Sequence, residues 1–175
     1  LESLFARKDK LPHSIDKPHR IQFHAILYIT RGEGTHYVDF APYSYKTGSL
    51  IFVTKGQVRA FDIDPDTSGE ILLFTSEYLQ NSLLHSDLQA FYHLYNYHLN
   101  TPVIPPEQGD KENFHSIIKE LKQEFQHHDN TRKDNILKHL LMILLLKIER
   151  TQKTSISMQK NVEWFARFDR FRELL

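Results

Sequence analysis

The residues best able to bind a metal or transfer a proton in this 175-residue chain are its eleven histidines, because the chain contains no cysteine. Their spacing does not favour a metal site. His93 and His98 are five residues apart, and His127 and His128 are adjacent, so neither pair shares one helix face as residues four apart would. No His-Glu-x-x-His motif occurs. We therefore expect ordinary surface and loop histidines.

The carboxylates do not form a recognisable site either. Asp62, Asp64 and Asp66 alternate as in a calcium-binding loop, but the required glycine and terminal glutamate do not follow. The chain also lacks a Gly-x-Ser-x-Gly nucleophile motif, a phosphate-binding loop and a dinucleotide-binding fingerprint. The sequence thus predicts no catalytic residue, no cofactor and no metal site.

The charge and hydropathy of the chain exclude two classes of partner. Its 22 basic and 22 acidic residues balance, so it has no overall cationic field for a nucleic-acid backbone. Its longest apolar run, residues 140–146, is far shorter than the roughly 20 residues that span a bilayer. The absence of cysteine fits a reducing compartment. We expect a cytoplasmic protein without a membrane partner.

The elements that must position any site fall into two halves, of which the first is strand-like. Between about residues 20 and 76, short β-branched and aromatic runs alternate with turn residues, which is typical of an antiparallel sandwich or barrel. The first run is apolar enough to be buried on both faces. The expected strands cover residues 21–30, 35–40, 49–54, 57–63 and 70–75. Tight turns that often require a positive φ are expected at Gly32, Gly34, Gly48 and Gly56.

The second half has the apolar spacing of helices, with helices expected over 81–99, from about Asp110, and over 134–150. Residues 140–146 make the third helix apolar all round, so it must be covered on two sides. A second copy of the chain can cover one side; alternatively, the 81–99 helix and a last helical segment, 162–175, cover it within one monomer. The predicted homodimer contacts are Leu137, Leu140, Leu141, Leu144, Leu145 and Ile148.

Two stretches of the strand-like half carry a resemblance to a known family. His24 to Gly34 is a hydrophobic strand that runs into a Gly-x-Gly turn, and Tyr45 to Phe61 contains an aliphatic strand that ends at Lys55-Gly56-Gln57. In order and spacing, these stretches resemble the cupin-type effector-binding domain of AraC/XylS-family transcription regulators. The order of the helices that follow agrees with this resemblance.

The resemblance implies an α+β fold in which a cupin barrel, a double-stranded β-helix, is followed by a helical hairpin for dimerisation. It assigns residues 1–80 to an N-terminal arm and an effector-binding barrel, 81–159 to the dimerisation segment, and 160–175 to the start of a linker helix. In this family a helix-turn-helix DNA-binding domain follows. The sequence contains no such module, so we expect the native protein to continue and to contact DNA only through that domain.

The resemblance also indicates which positions would bind a metal in catalytic cupins. They correspond here to His19, Ile21, Ala25 and Arg59, so one of four ligands remains and a permanently charged guanidinium replaces another. This pattern argues against the alternative function, a stand-alone cupin enzyme such as a metal-dependent isomerase or dioxygenase.

If these positions keep their inward orientation, strand alternation builds an apolar cup around Arg59. We expect Arg59 to pair with an anionic group of a small-molecule effector. An internal acidic partner for Arg59, or a guanidinium that reaches the mouth of the barrel, is the other interpretation. The candidate ligand-binding residues are Arg59, Phe23, Ala25, Leu27 and Phe61, together with Tyr28 and His36 if the register turns them inward. The function predicted is a small-molecule-sensing, dimerising regulatory domain; a purely structural module with a filled barrel is a third possibility.

Overall fold

The structure, a computed structural model, describes residues 2–3, 17–63, 66–80, 101–105, 108–128 and 131–155. Within these ranges lie the strands β1 (Glu2–Ser3), β2 (His19–Arg20), β3 (His24–Arg31), β4 (Glu33–Val38), β5 (Ala41–Lys46), β6 (Leu50–Val53), β7 (Val58–Ile63), β8 (Ser68–Phe74) and β9 (Val103–Ile104). The helices are α1 (Ser76–Gln80), α2 (Gln108–Gln126) and α3 (Lys133–Ser155). The helix expected over 81–99, the linker expected over 160–175, most of the N-terminal arm, and Asp64 lie outside the described residues.

The strands form two antiparallel sheets, so the α+β class predicted from the sequence is confirmed. The first sheet has the order β1-β8-β3-β6-β9 and the second has the order β2-β7-β4-β5. Four of the strands, β1, β2, β5 and β9, fall where the sequence predicts none. Residues 41–46 form a strand antiparallel to β4, because Tyr43 and Tyr45 alternate with polar residues. Val103–Ile104 adds a short edge strand beside β6.

Three of the four turn glycines behave as expected. Gly32, Gly48 and Gly56 have φ values of 94°, 89° and 92°, a region that side chains with a β-carbon rarely adopt. The turn expected at Gly34 is wrong, because this residue lies inside β4. It pairs there with Tyr45 on one side and Ile63 on the other. Glycine at position 34, which has no side chain, therefore allows close packing within the second sheet.

Strand β3 is buried on both faces, as its continuous apolar run predicts. Ala25, Leu27 and Ile29 point into a cluster that includes side chains of both sheets, which we call the interior cluster. Ile26 and Tyr28 point the other way, into a second cluster that includes the helices, which we call the helix-side cluster. One strand thus divides two separate cores.

Helices α2 and α3 pack on each other and against the outer face of the first sheet. Both helices add large aliphatic or aromatic side chains to the helix-side cluster. These are Phe114, Ile117, Ile118 and Leu121 on α2 and Leu141, Leu144, Leu145 and Ile148 on α3. An ion pair of 2.5 Å between Lys122 Nζ and Glu70 Oε1 connects α2 to β8. No helix among the described ranges combines the length and apolar character needed to cross a membrane.

Most of the residues predicted to form a dimer face pack instead in the helix-side cluster of the same chain. Leu141, Leu144, Leu145 and Ile148 are buried in the helix-side cluster. Leu137 and Leu140 are half-buried against the same cluster. The large aliphatic side chains that α3 leaves exposed are Ile136, Ile143 and Leu146, each with more than 40% of its surface accessible.

Candidate ligand-binding site

Arg59 occupies the interior face of β7. Its side chain is 3% exposed, and it shares that face with Phe61, two residues further along the strand. The guanidinium carbon lies 6.0 Å from the centre of the Phe61 ring, which is within the range of a cation–π contact. The second sheet therefore places a permanent positive charge among buried aromatic side chains.

His36 on β4 is the second polar residue of this face. It lies directly opposite Phe61 in the β4–β7 register, and its side chain is completely buried. The His36 and Phe61 rings are 4.0 Å apart, centre to centre, with their planes inclined by 32°. The two rings form a tilted stack, and the Phe61 ring of this stack lies beside the guanidinium of Arg59.

Tyr45 on β5 completes the aromatic group. Its ring meets Phe61 edge to face at 6.1 Å, and its hydroxyl donates to the carbonyl oxygen of Asp62 over 3.4 Å. Tyr43, one alternation earlier on the same strand, is opposite His36 in the register and half-buried against the interior cluster. Neither tyrosine was predicted, although the alternation of residues 41–46 is the period-two signal that identifies such a strand.

The opposing wall, on the first sheet, is aliphatic. Ala25 and Leu27 are fully buried there, and Ile51, Val53 and Ile71 from the neighbouring strands lie in the same cluster. Phe23 is half-buried against this cluster, just before β3 begins. The interior thus has two chemically different walls, one aliphatic and one with aromatic rings and a cation.

The structure brings most of the candidate ligand-binding residues together. Arg59, Phe61, Ala25, Leu27, Phe23 and His36 all contribute to the interior or to its aromatic wall. Tyr28 lies apart from them, because its position on β3 turns it toward the helices, where its ring is 5.9 Å from that of His115. Burial raises the pKa of the Tyr28 hydroxyl, which therefore stays neutral.

Three of the four positions that would bind a metal in catalytic cupins are buried here. Ile21 and Ala25 are buried in the interior cluster, and Arg59 is opposite His19 in the β2–β7 register. Across the part of the chain that the structure describes, no three His, Asp or Glu side chains are grouped closely enough to hold a metal ion. This interior thus combines the guanidinium of Arg59 with aromatic rings and an aliphatic wall.

Comparisons with known proteins give one matching family model and several similar solved structures. The family model for the AraC-like ligand-binding domain matches residues 5–146. Among solved structures, the AraC-like transcriptional activator CuxR is similar with 12% identity and a TM-score of 0.48 over 72% of this chain and 43% of that chain. Fatty-acid-bound ToxT from Vibrio cholerae has 17% identity and a TM-score of 0.48, over 83% of this chain and 53% of that chain.

A further structure, the EutQ protein of Clostridium difficile, has 28% identity and a TM-score of 0.27, over 31% of this chain and 39% of that chain. The chain thus spans about half the length, or less, of these solved proteins. No curated protein matches it. Because the family model covers most of its length, the chain belongs to the AraC-like ligand-binding domain family.

Proposed function

We propose that this chain is the effector-sensing part of a bacterial AraC-type transcription regulator and that it is not an enzyme. The observation that carries the proposal is the placement of Arg59, a buried guanidinium on the interior face of a domain that belongs to a ligand-binding family. A guanidinium at such a position in a ligand-binding interior has the geometry to bind an anionic group of a ligand.

The effector class follows from the two walls of the interior. Arg59 presents N–H donors in the fork geometry that matches a carboxylate or phosphate, so the effector carries an anionic group. The His36–Phe61 surface and the aliphatic wall of Ala25 and Leu27 suit an apolar body beside that group. The ligand is therefore a small aliphatic or aromatic acid. The two sheets that enclose the interior form the cupin barrel in this proposal, and residues 1–80 with β9 form the sensing unit.

The proposed homodimer uses a face of α3 that differs from the one selected from the sequence. Ile136, Ile143 and Leu146 are spaced by seven and three residues, so they lie on one side of the helix and are all exposed. Leu137 and Leu140 border this side. Pairing of two α3 helices along it, with α2 and α3 as the helical hairpin, removes three large aliphatic side chains from water.

Transcriptional control then requires coupling between the interior and DNA. DNA is contacted only through a helix-turn-helix domain beyond the linker that begins near residue 160, in the cytoplasm. The sensing domain and the DNA-binding domain can be arranged relative to each other in more than one way. The effector changes regulation by binding one of these arrangements more tightly than another.

A thermal-shift screen with matched acids and amides tests the sensing proposal. Octanoate and benzoate are compared with octanamide and benzamide, and the free energy of unfolding is expected to rise only with the acids. Equal stabilisation by an acid and its amide would contradict the proposal that the effector is anionic. No stabilisation by any small molecule would favour the structural module with a filled interior. Stoichiometric iron, manganese or zinc in the purified chain would favour the enzyme.

A further inference from the structure

A histidine lies in the middle of the exposed apolar face of α3. Ile136, Ile143 and Leu146 are exposed on this side of the helix. His139, which is also exposed, stands three residues after Ile136 and four residues before Ile143. The four residues, which we call the α3 stripe, therefore follow the alternating three-and-four spacing of a coiled-coil seam. The α3 residues of the helix-side cluster lie on the other sides of the helix.

A hydrogen bond within α3 fixes which ring nitrogen of His139 carries the proton. Its Nδ1 lies 2.6 Å from the backbone carbonyl oxygen of Asn135, one helical turn earlier. A carbonyl oxygen can only accept, so Nδ1 bears a hydrogen and donates it. In the neutral ring, Nε2 is then an uncharged acceptor, and a proton added there makes the whole ring a cation. The charge of the α3 stripe thus depends on one proton at Nε2.

The charges around the α3 stripe do not compensate such a cation. The charged residues that continue the stripe or border it are basic with one exception: Arg132, Lys133, Lys147, Glu149 and Arg150. The other acidic residue of α3, Asp134, already pairs with Lys138 at 2.6 Å. Protonated His139 in a paired stripe would therefore be a cation taken out of water beside aliphatic side chains, on a side of the helix that is already basic.

We propose that the α3 stripe pairs with the same stripe of a second copy of the chain while His139 is neutral, and that protonation of His139 separates the two copies. The inference rests on the homodimer proposed above and gives that dimer a pH dependence. Its sign is the same for both orientations of the helices. In a parallel pair the two His139 rings meet, and in an antiparallel pair each ring meets an apolar residue or an arginine of the second copy. A positive ring opposes either pairing.

The test is sedimentation equilibrium of the chain at pH 8 and at pH 5.5, which gives the dissociation constant of the dimer at each pH. We expect this constant to be roughly tenfold to a hundredfold higher at pH 5.5, because each dimer formed there must release protons from two histidines. His139→Gln, which cannot be protonated in this range, is expected to remove most of the difference. The matched control is His128→Gln, an exposed position before α3, which should keep the pH response of the unaltered chain.

Two further variants fix the state of the side chain at this position, and circular dichroism checks that each is folded. His139→Lys carries a permanent positive charge and is expected to be monomeric at both pH values. His139→Leu completes the apolar seam, so it is expected to dimerise more tightly and without the pH response.

The possible failures can be told apart. A dimer of the unaltered chain with the same dissociation constant at pH 8 and pH 5.5 would overturn this inference and leave the proposed dimer intact. A monomer at pH 8 would overturn both. The inference also fails if His139→Gln keeps the full pH response, or if His139→Lys dimerises as tightly as the unaltered chain does at pH 8.

Discussion

The hydroxyl of Tyr45 lies where a side chain at Gly34 would have to go. A β-carbon at position 34 would stand 2.5 Å from Tyr45 Oη and 2.6 Å from the carbonyl oxygen of Asp62. The two residues are register partners on β4 and β5, and the phenol crosses β4 only because no side chain rises from it. The aromatic wall beside Arg59 therefore depends on a glycine.

Gly34→Ala is expected to lower the free energy of unfolding by about 1–3 kcal/mol, since the added methyl overpacks a buried site. Chemical denaturation of the variant measures this. Tyr45→Leu removes the hydroxyl, so the double variant is expected to lose less than the sum of the single losses. Strict additivity of the two losses would show that Tyr45 does not occupy this space.

The β4–β5 turn contains an exposed aromatic residue in an unfavourable backbone conformation. Phe40 has φ of 69° and is 78% exposed, next to Asp39 with φ of 48°. Phe40→Gly is expected to raise the free energy of unfolding by about 0.5–1 kcal/mol, because glycine adopts this conformation without a steric penalty. Phe40→Ala removes the ring but keeps the β-carbon, and no gain is expected. Equal gains in both variants would attribute the effect to the exposed ring.

His24 makes the stability depend on pH. Its Nε2 is 2.8 Å from the hydroxyl oxygen of Ser76, its ring stacks on Phe74, and burial, with a smaller effect of Lys55, lowers its pKa to about 4. The unfolded chain binds the proton more readily than the folded one. The stability that neutral His24 contributes is thus fully present above about pH 6.5 and is lost as the pH falls toward 4.

Between pH 6.5 and 4, the unaltered chain is therefore expected to lose up to about 3 kcal/mol more unfolding free energy than His24→Gln. Denaturation curves at several pH values measure the difference, and an NMR titration of the His24 ring gives its pKa directly. Lys55→Met is expected to raise that pKa only slightly, because burial is the larger cause. Identical pH profiles of the unaltered chain and His24→Gln would contradict this account.

Two neighbouring residues of α3 are expected to differ in how much stability the chain loses when each is truncated. Leu144 is fully buried against the sheet, and Leu144→Ala is expected to cost about 2–5 kcal/mol of unfolding free energy. Ile143 is 44% exposed, and Ile143→Ala is expected to cost less than about 1 kcal/mol. Sedimentation should show that Ile143→Glu shifts the proposed dimer toward monomer without unfolding it. A folded Leu144→Ala chain that dissociates while Ile143→Glu stays dimeric would restore the face chosen from the sequence.

Much of the fold was predictable because it depends on local pattern. The continuous apolar run of β3 indicates burial on two faces, and the glycines at positions 32, 48 and 56 mark turns by their backbone freedom. The inward positions of Arg59 and Phe61 follow from alternation once the register is fixed. The burial of β3 and the three turns need no knowledge of distant partners, whereas the inward positions of β7 need only its register.

The remaining features depend on which surfaces meet in three dimensions. The apolar sequence of α3 shows that this helix must be covered. It does not show that Leu144 packs on the sheet of the same chain while Ile143 stays exposed. The same holds for Tyr28, whose one-residue offset from Leu27 places it on the helix side. The Glu70–Lys122 pair joins residues 52 positions apart, and no local signal specifies such a partner.

The role of Arg59 is tested most directly by isothermal titration of the chain with octanoate and benzoate. Arg59→Met is expected to fold and to bind these acids roughly tenfold or more weakly than the unaltered chain, with Arg59→Lys in between. Lys122→Met, which removes a cation outside the interior, should bind them as the unaltered chain does. Equal affinity of the acids for Arg59→Met and for the unaltered chain would contradict the account.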